Sequence, residues 1–174
     1  MIREELSQAE PGNLALQSDV AYIHDWLGKC CRKLGDSAEA LQHYQKSYDL
    51  RQSLLRSEPE VVQRQLDLLL SQMKLATWHL DQATAQEDGV AADLLKQVEQ
   101  ALLTLQADGR LAGQESAYAT WLPAVRQNQA LIAERARQRD AAVRSADRAG
   151  PSVTIPATSQ PTTGLLRQVG GSGI

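Results

Sequence analysis

The chain has 174 residues, 43% of them hydrophobic and 22% charged, with a formal net charge of −3. That length suffices for one domain with a core or a short repeat array, and so small a charge argues against nucleic acid or an anionic membrane as partner. No apolar run approaches the roughly eighteen residues of a membrane span, and Met1-Ile2-Arg3-Glu4-Glu5 opens no secretory segment, so the cytoplasm is the expected compartment.

Phe is absent and aromatics total 4%, which leaves Leu and Ala to do most of the packing. Ala, Leu, Gln, Glu and Arg dominate before residue 150 and β-branched residues are sparse there, a composition that favours helices. Residues 1–12 read as the tail end of a partial repeat helix. A first helix is expected over Leu14 to Leu34, capped by Asn13 and ended by Gly35. Its apolar stripe is Val20, Ile23, Leu27, Cys31 and Leu34, spaced three or four apart. Asp36 and Glu39 form a capping-box-like pair for a second helix running to Ser57. Its inner face is Ala40, Leu41, Tyr44, Ser47, Tyr48 and Leu55.

A third helix is expected from Glu60 to Ala85, with Leu66, Leu69, Leu70, Met73 and Leu80 inward. Gln86-Glu87-Asp88-Gly89 reads as a turn, and a fourth helix runs from Val90 to Asp108. From Gln114 to Ala146 the pattern becomes polar. Pro123 should kink this fifth helix or mark its true start, and Arg135, Arg137, Arg139 and Arg144 read as a solvated cap. The domain limits that follow are 1–12, 13–111 for two helix pairs, 112–148 for the capping helix, and 149–174. The last segment is rich in Pro, Gly, Ser and Thr and reads as disordered. Its apolar piece Gly164 to Val169 reads as incidental or as a docking peptide.

A 48-residue repeat organises the helices. Glu10-Pro11 matches Glu58-Pro59, Leu6 matches Leu54, Gln17 matches Gln65, Asp19 matches Asp67, and Leu27-Gly28 matches Leu75-Ala76. Gly28 and Ala76 are the small residues that let paired helices approach closely. The order His24-x2-Leu27-Gly28-x2-Cys31, Gly35-Asp36, Ala40-x3-Tyr44 and Ser47 resembles the tetratricopeptide repeat (TPR) signature. The run from Gly35 to Leu54, followed by Glu58-Pro59, is similar to the long-helix repeats of bacterial signalling proteins and to the kinesin-light-chain type. His24 and Cys31 stand where that family usually has large aromatics. The resemblance implies an all-α fold: a right-handed stack of antiparallel helix pairs, an α-solenoid fragment with a C-terminal capping helix and a disordered tail.

It also implies a noncatalytic scaffold or adaptor that binds a peptide or protein partner in a concave groove, with no cofactor. The family's groove positions fall on Tyr22, Asp25, Lys29, Arg32 and Lys33 in the first repeat and on Leu70, Met73, Thr77 and Leu80 in the second. Such a groove suits a partner with an acidic segment and apolar anchors; alternatively, the cations are a solvated face near a helix C-terminus, where they are favoured anyway. Self-association through the incomplete N-terminal repeat is a further expectation. Two other readings stand beside the adaptor: the C-terminal regulatory segment of a larger signalling enzyme such as a serine/threonine protein kinase, and a small helical-bundle enzyme. No Gly-rich phosphate loop or kinase catalytic-loop motif occurs in the chain. The adjacent Cys30 and Cys31 read as plain thiols. His24, His43 and His79 read as packing or surface residues rather than metal ligands, His43 in an exposed phase.

Overall fold

The structure, a computed structural model, describes residues 12–149, which form five helices: α1 Leu14–Leu34, α2 Ser37–Ser57, α3 Val62–Gln82, α4 Ala85–Ala107 and α5 Glu115–Ala149. The described residues are all-α, and each helix packs on the next in the chain. The partial helix expected at the N-terminus and the expected disordered tail lie outside the described residues, apart from Gly12 and Ala149.

Local chemistry sets the first two helices. Asn13 Oδ1 accepts the Leu16 N–H at 3.1 Å, which starts α1. Gly35 ends it at φ 85°, donating its N–H to the Arg32 carbonyl, while Asp36 donates to the Cys31 carbonyl at 2.9 Å. Asp36 Oδ1 then accepts the Glu39 N–H at 3.1 Å and starts α2. Both helices end where the sequence places them, at Leu34 and Ser57.

The second pair repeats the first. The bounds of α3 are those of α1 displaced by 48 residues, and α4 begins 48 residues after α2. Ala83 takes the left-handed place of Gly35, at φ 55°, and Thr84 Oγ1 accepts the Glu87 N–H at 3.2 Å as Asp36 does for Glu39. The turn expected at Gln86–Gly89 is overturned: those residues lie in the first turns of α4, which starts at Ala85 rather than Val90, and α3 ends at Gln82 rather than Ala85, so the break is at Ala83-Thr84. Acidic Glu87 and Asp88 suit a helix N-terminus, so what looks like loop composition is first-turn composition.

The buried face of α1 matches the expected stripe only in part, with Val20 buried and Ile23 and Cys31 half-buried. Val20, Ala21, His24, Asp25 and Gly28 face inward, while Leu27 is 41% exposed and Leu34 85% exposed. Its repeat counterpart Leu75 is buried. The physical reason is close docking at Gly28, whose position leaves no room for a Cβ beside the Tyr44 ring, together with polar partners that draw His24 and Asp25 inward.

The main core joins α3, α4 and α5 through Leu66, Leu69, Ala76, Leu80, Leu95, Val98, Leu102, Leu105, Leu122 and Val125. A smaller cluster of Ala40, Tyr44, Leu75 and Trp78 joins α2 to α3. Helix α5 starts at Glu115 and runs through Pro123 without ending there. Its arginines are not all solvated: Arg135 and Arg139 reach the buried Asp88 carboxylate at 2.8 and 2.5 Å, and Arg135 also donates to the Leu80 carbonyl. Burial by itself would raise the Asp88 carboxyl, but the hydrogen bonds from Arg139 and Arg135 outweigh it and hold the group below the ordinary carboxylate range.

Candidate functional site

Helices α1 and α3 meet over a cleft of about 450 Å³ lined by Tyr22, Asp25, Trp26, Lys29, Arg32, Tyr44, Leu70, Met73, Lys74 and Thr77. Three ties hold the two helices in register. Arg64 of α3 donates to Ser18 Oγ at 3.3 Å near the start of both helices. Lys74 Nζ stands 2.6 Å from Asp25 Oδ2 at the middle. Arg32 pairs with Asp81 near their ends, and the hydrogen bond from its Nε raises the already high guanidinium pKa.

The floor is an ion network. Asp25 is 4% exposed, and Arg51 Nη2 lies 2.5 Å from its Oδ2. Arg51 also donates through Nη1 to the Asp67 carbonyl at 3.0 Å and to Ser71 Oγ at 2.8 Å. One guanidinium of α2 thus joins α1 to α3. Both cations converge on the same carboxylate oxygen, Asp25 Oδ2. Burial pushes the Lys74 ammonium below the ordinary lysine range, against the pull of Asp25.

The rim is aromatic and cationic. Tyr22 and Trp26 are 57% and 50% exposed and pack edge-to-face with centroids 6.2 Å apart. Lys29 Nζ sits 4.8 Å above the Trp26 ring. On the facing wall, Leu70, Met73 and Thr77 are half-buried, and Thr77 Oγ1 is occupied by the Met73 carbonyl. At the base, burial raises the Tyr44 phenol.

Of the residues expected in a groove, Tyr22, Asp25, Lys29, Arg32, Leu70, Met73 and Thr77 come together here. Lys33 is exposed outside the cleft, and Leu80 is buried in the main core. Sequence reasoning missed Trp26, Tyr44 and Lys74. Trp26 had a signal, since Tyr22, Trp26 and Lys29 recur at helical spacing; it was obscured by taking adjacent Leu27 as core.

The histidines do not behave as isolated surface groups. His24 Nδ1 and His43 Nδ1 stand 3.0 Å apart across α1 and α2, and His24 is buried. The ligand atoms of Cys31, Glu39 and His43 all lie within 4.8 Å of one another, which is the one such metal-competent set among the described residues. The exposed phase expected for His43 is thereby corrected: it is half-buried against α1. His79 pairs with Glu87. Among the described residues no helix is long and apolar enough to cross a membrane. Comparison with protein-family models, curated proteins and solved structures gives no match for the chain.

Proposed function

We propose that the chain is a TPR-like scaffold, a stack of antiparallel helix pairs, which holds a peptide or protein partner in the cleft between α1 and α3. The observation that carries this reading is the exposed Tyr22–Trp26 pair with Lys29 over the indole, placed opposite Leu70 and Met73. Binding hot spots are enriched in Trp, Tyr and Arg, and Trp26, Tyr22 and Arg32 all line this cleft. The cleft holds more cationic than anionic groups: Lys29, Lys74 and Arg32 line it with Asp25, Arg51 forms its floor, and Asp81 neutralises Arg32. It suits a segment with a carboxylate beside one or two apolar anchors. The repeated helix bounds and turns, 48 residues apart, support the scaffold reading of the fold.

The test is selection from a displayed random-peptide library on the full chain. Enriched peptides should pair Asp or Glu with large apolar residues. Trp26→Ala and Lys29→Glu should each abolish their binding with helicity unchanged, because both side chains are exposed and such substitutions usually cost under ~0.5 kcal/mol. Lys33→Glu, outside the cleft, should leave binding intact. Peptides that ignore Trp26→Ala and Lys29→Glu would remove the cleft as the binding site.

A further inference from the structure

The closed end of the α1–α2 pair brings together four side chains that the cleft does not use. Cys31 lies on the last turns of α1. Glu39 and His43 lie one turn apart on α2, so they share a face. The Gly35-Asp36 connection folds that face back onto Cys31. The result is a thiol, a carboxylate and an imidazole with ligand atoms within 4.8 Å of one another. His43 Nε2 is 3.9 Å from Glu39 Oε1, while its other nitrogen, Nδ1, is 3.0 Å from His24 Nδ1.

We propose that Cys31 Sγ, Glu39 carboxylate and His43 Nε2 form a three-ligand site for a divalent transition-metal ion of the zinc class, with His24 as the residue that orients His43. The donor set fits that class: sulfur, nitrogen and oxygen ligands together suit borderline-soft Zn²⁺ and its analogue Co²⁺ rather than Mg²⁺ or Ca²⁺. Tetrahedral ligands around zinc stand roughly 3.3–3.8 Å apart. The set needs to contract by no more than about 1 to 1.5 Å on that geometry, and Glu39, the exposed member, is free to move.

His24 Nδ1 stands in the place of the outer partner of a ligating histidine, an imidazole nitrogen where a carboxylate or carbonyl is usual. If His43 Nδ1 donates to His24 Nδ1, the lone pair of His43 Nε2 is left to the metal. Three protein ligands leave one position for water or an outside ligand. The bound ion would fasten α1 to α2 behind Tyr44, since Cys31 packs on the Ala40–Tyr44 cluster.

Titration of the reduced full chain with Co²⁺ tests this directly. One equivalent should produce intense visible bands of four-coordinate cobalt and a near-ultraviolet thiolate charge-transfer band, and Zn²⁺ should displace both. Cys31→Ser should remove the charge-transfer band and Cys30→Ser should keep it. Glu39→Gln, at an exposed position that leaves folding intact, should weaken binding. His24→Leu should lower affinity roughly 10–100-fold without changing stoichiometry. Zn²⁺ should also raise the Tm of the wild-type chain and not of Cys31→Ser. Absence of cobalt bands in the wild type, or bands that survive Cys31→Ser and vanish in Cys30→Ser, would overturn the assignment.

Discussion

Gly28→Ala tests the close approach of α1 and α2. A Cβ at residue 28 would stand 2.7 Å from Tyr44 Cδ1 and Cε1 and 3.2 Å from the Ala40 carbonyl oxygen. Tyr44 is itself buried against Ala40, Leu75 and Trp78 and closes the base of the cleft, so its ring moves only by breaking that packing. Either the ring is displaced within a packed cluster or the helices separate. Overpacking of this kind costs about 1–3 kcal/mol. Against it stands the helix propensity gained when Ala replaces Gly, about 0.8–1 kcal/mol. The net expectation is a loss of about 0–2 kcal/mol, read as a lower urea midpoint at unchanged slope. A double-mutant cycle isolates the cause. In a Tyr44→Ala background the obstructing ring is gone, and the same Gly28→Ala change should turn stabilising by up to about 1 kcal/mol. A stabilising effect in the wild-type background, or an equal loss in both backgrounds, would refute the contact.

Three further outcomes follow from other particulars of the structure. Asp88→Asn should cost about 1–3 kcal/mol at neutral pH, because Asn offers Arg135 and Arg139 one uncharged acceptor. The Asp88 carboxyl is depressed below its ordinary 3.8 in the folded chain, so its contribution is present above that value and is lost as pH falls through the lower folded value. Urea midpoints measured from pH 6 downward should therefore decline more steeply for wild type than for Asp88→Asn in the acid limb. Arg51→Met should cost about 3 kcal/mol, the low end for breaking a buried pair, since Lys74 still faces Asp25; an effect under ~0.5 kcal/mol would mean the network carries no stability. Ala83→Gly should stabilise by about 0.5–1 kcal/mol in thermal unfolding, because Gly relieves the left-handed backbone at that turn.

What could be read from the sequence was what neighbours along the chain decide. Asn13, Gly35, Asp36 and Glu58 bound their helices through contacts three or four residues away, so α1 and α2 were legible. The α3–α4 turn was misplaced because Glu87-Asp88-Gly89 looks like a loop when viewed alone. The repeat held the correction, since Gly35-Asp36 aligns with Ala83-Thr84. The rotation of α1 was hidden for a different reason. His24 and Asp25 stand off the apolar stripe, and only His43 and Arg51, on the next helix, supply the partners that go with their burial.

That hidden rotation also makes the cleft. Burying Asp25 without a cation would be strongly unfavourable; with Arg51 and Lys74 in place, α1 turns Asp25 toward α2 and α3. The same turn carries Leu27 toward solvent and leaves Tyr22 and Trp26 exposed on the rim, with Lys29 over the indole. Hydrophobic periodicity alone would have chosen Leu27 as the buried residue and given α1 a different outer face. The polar network therefore does more than fasten three helices. It selects which side chains the chain presents at the cleft, and so the buried ion pair and the proposed recognition surface are consequences of one rotation of α1.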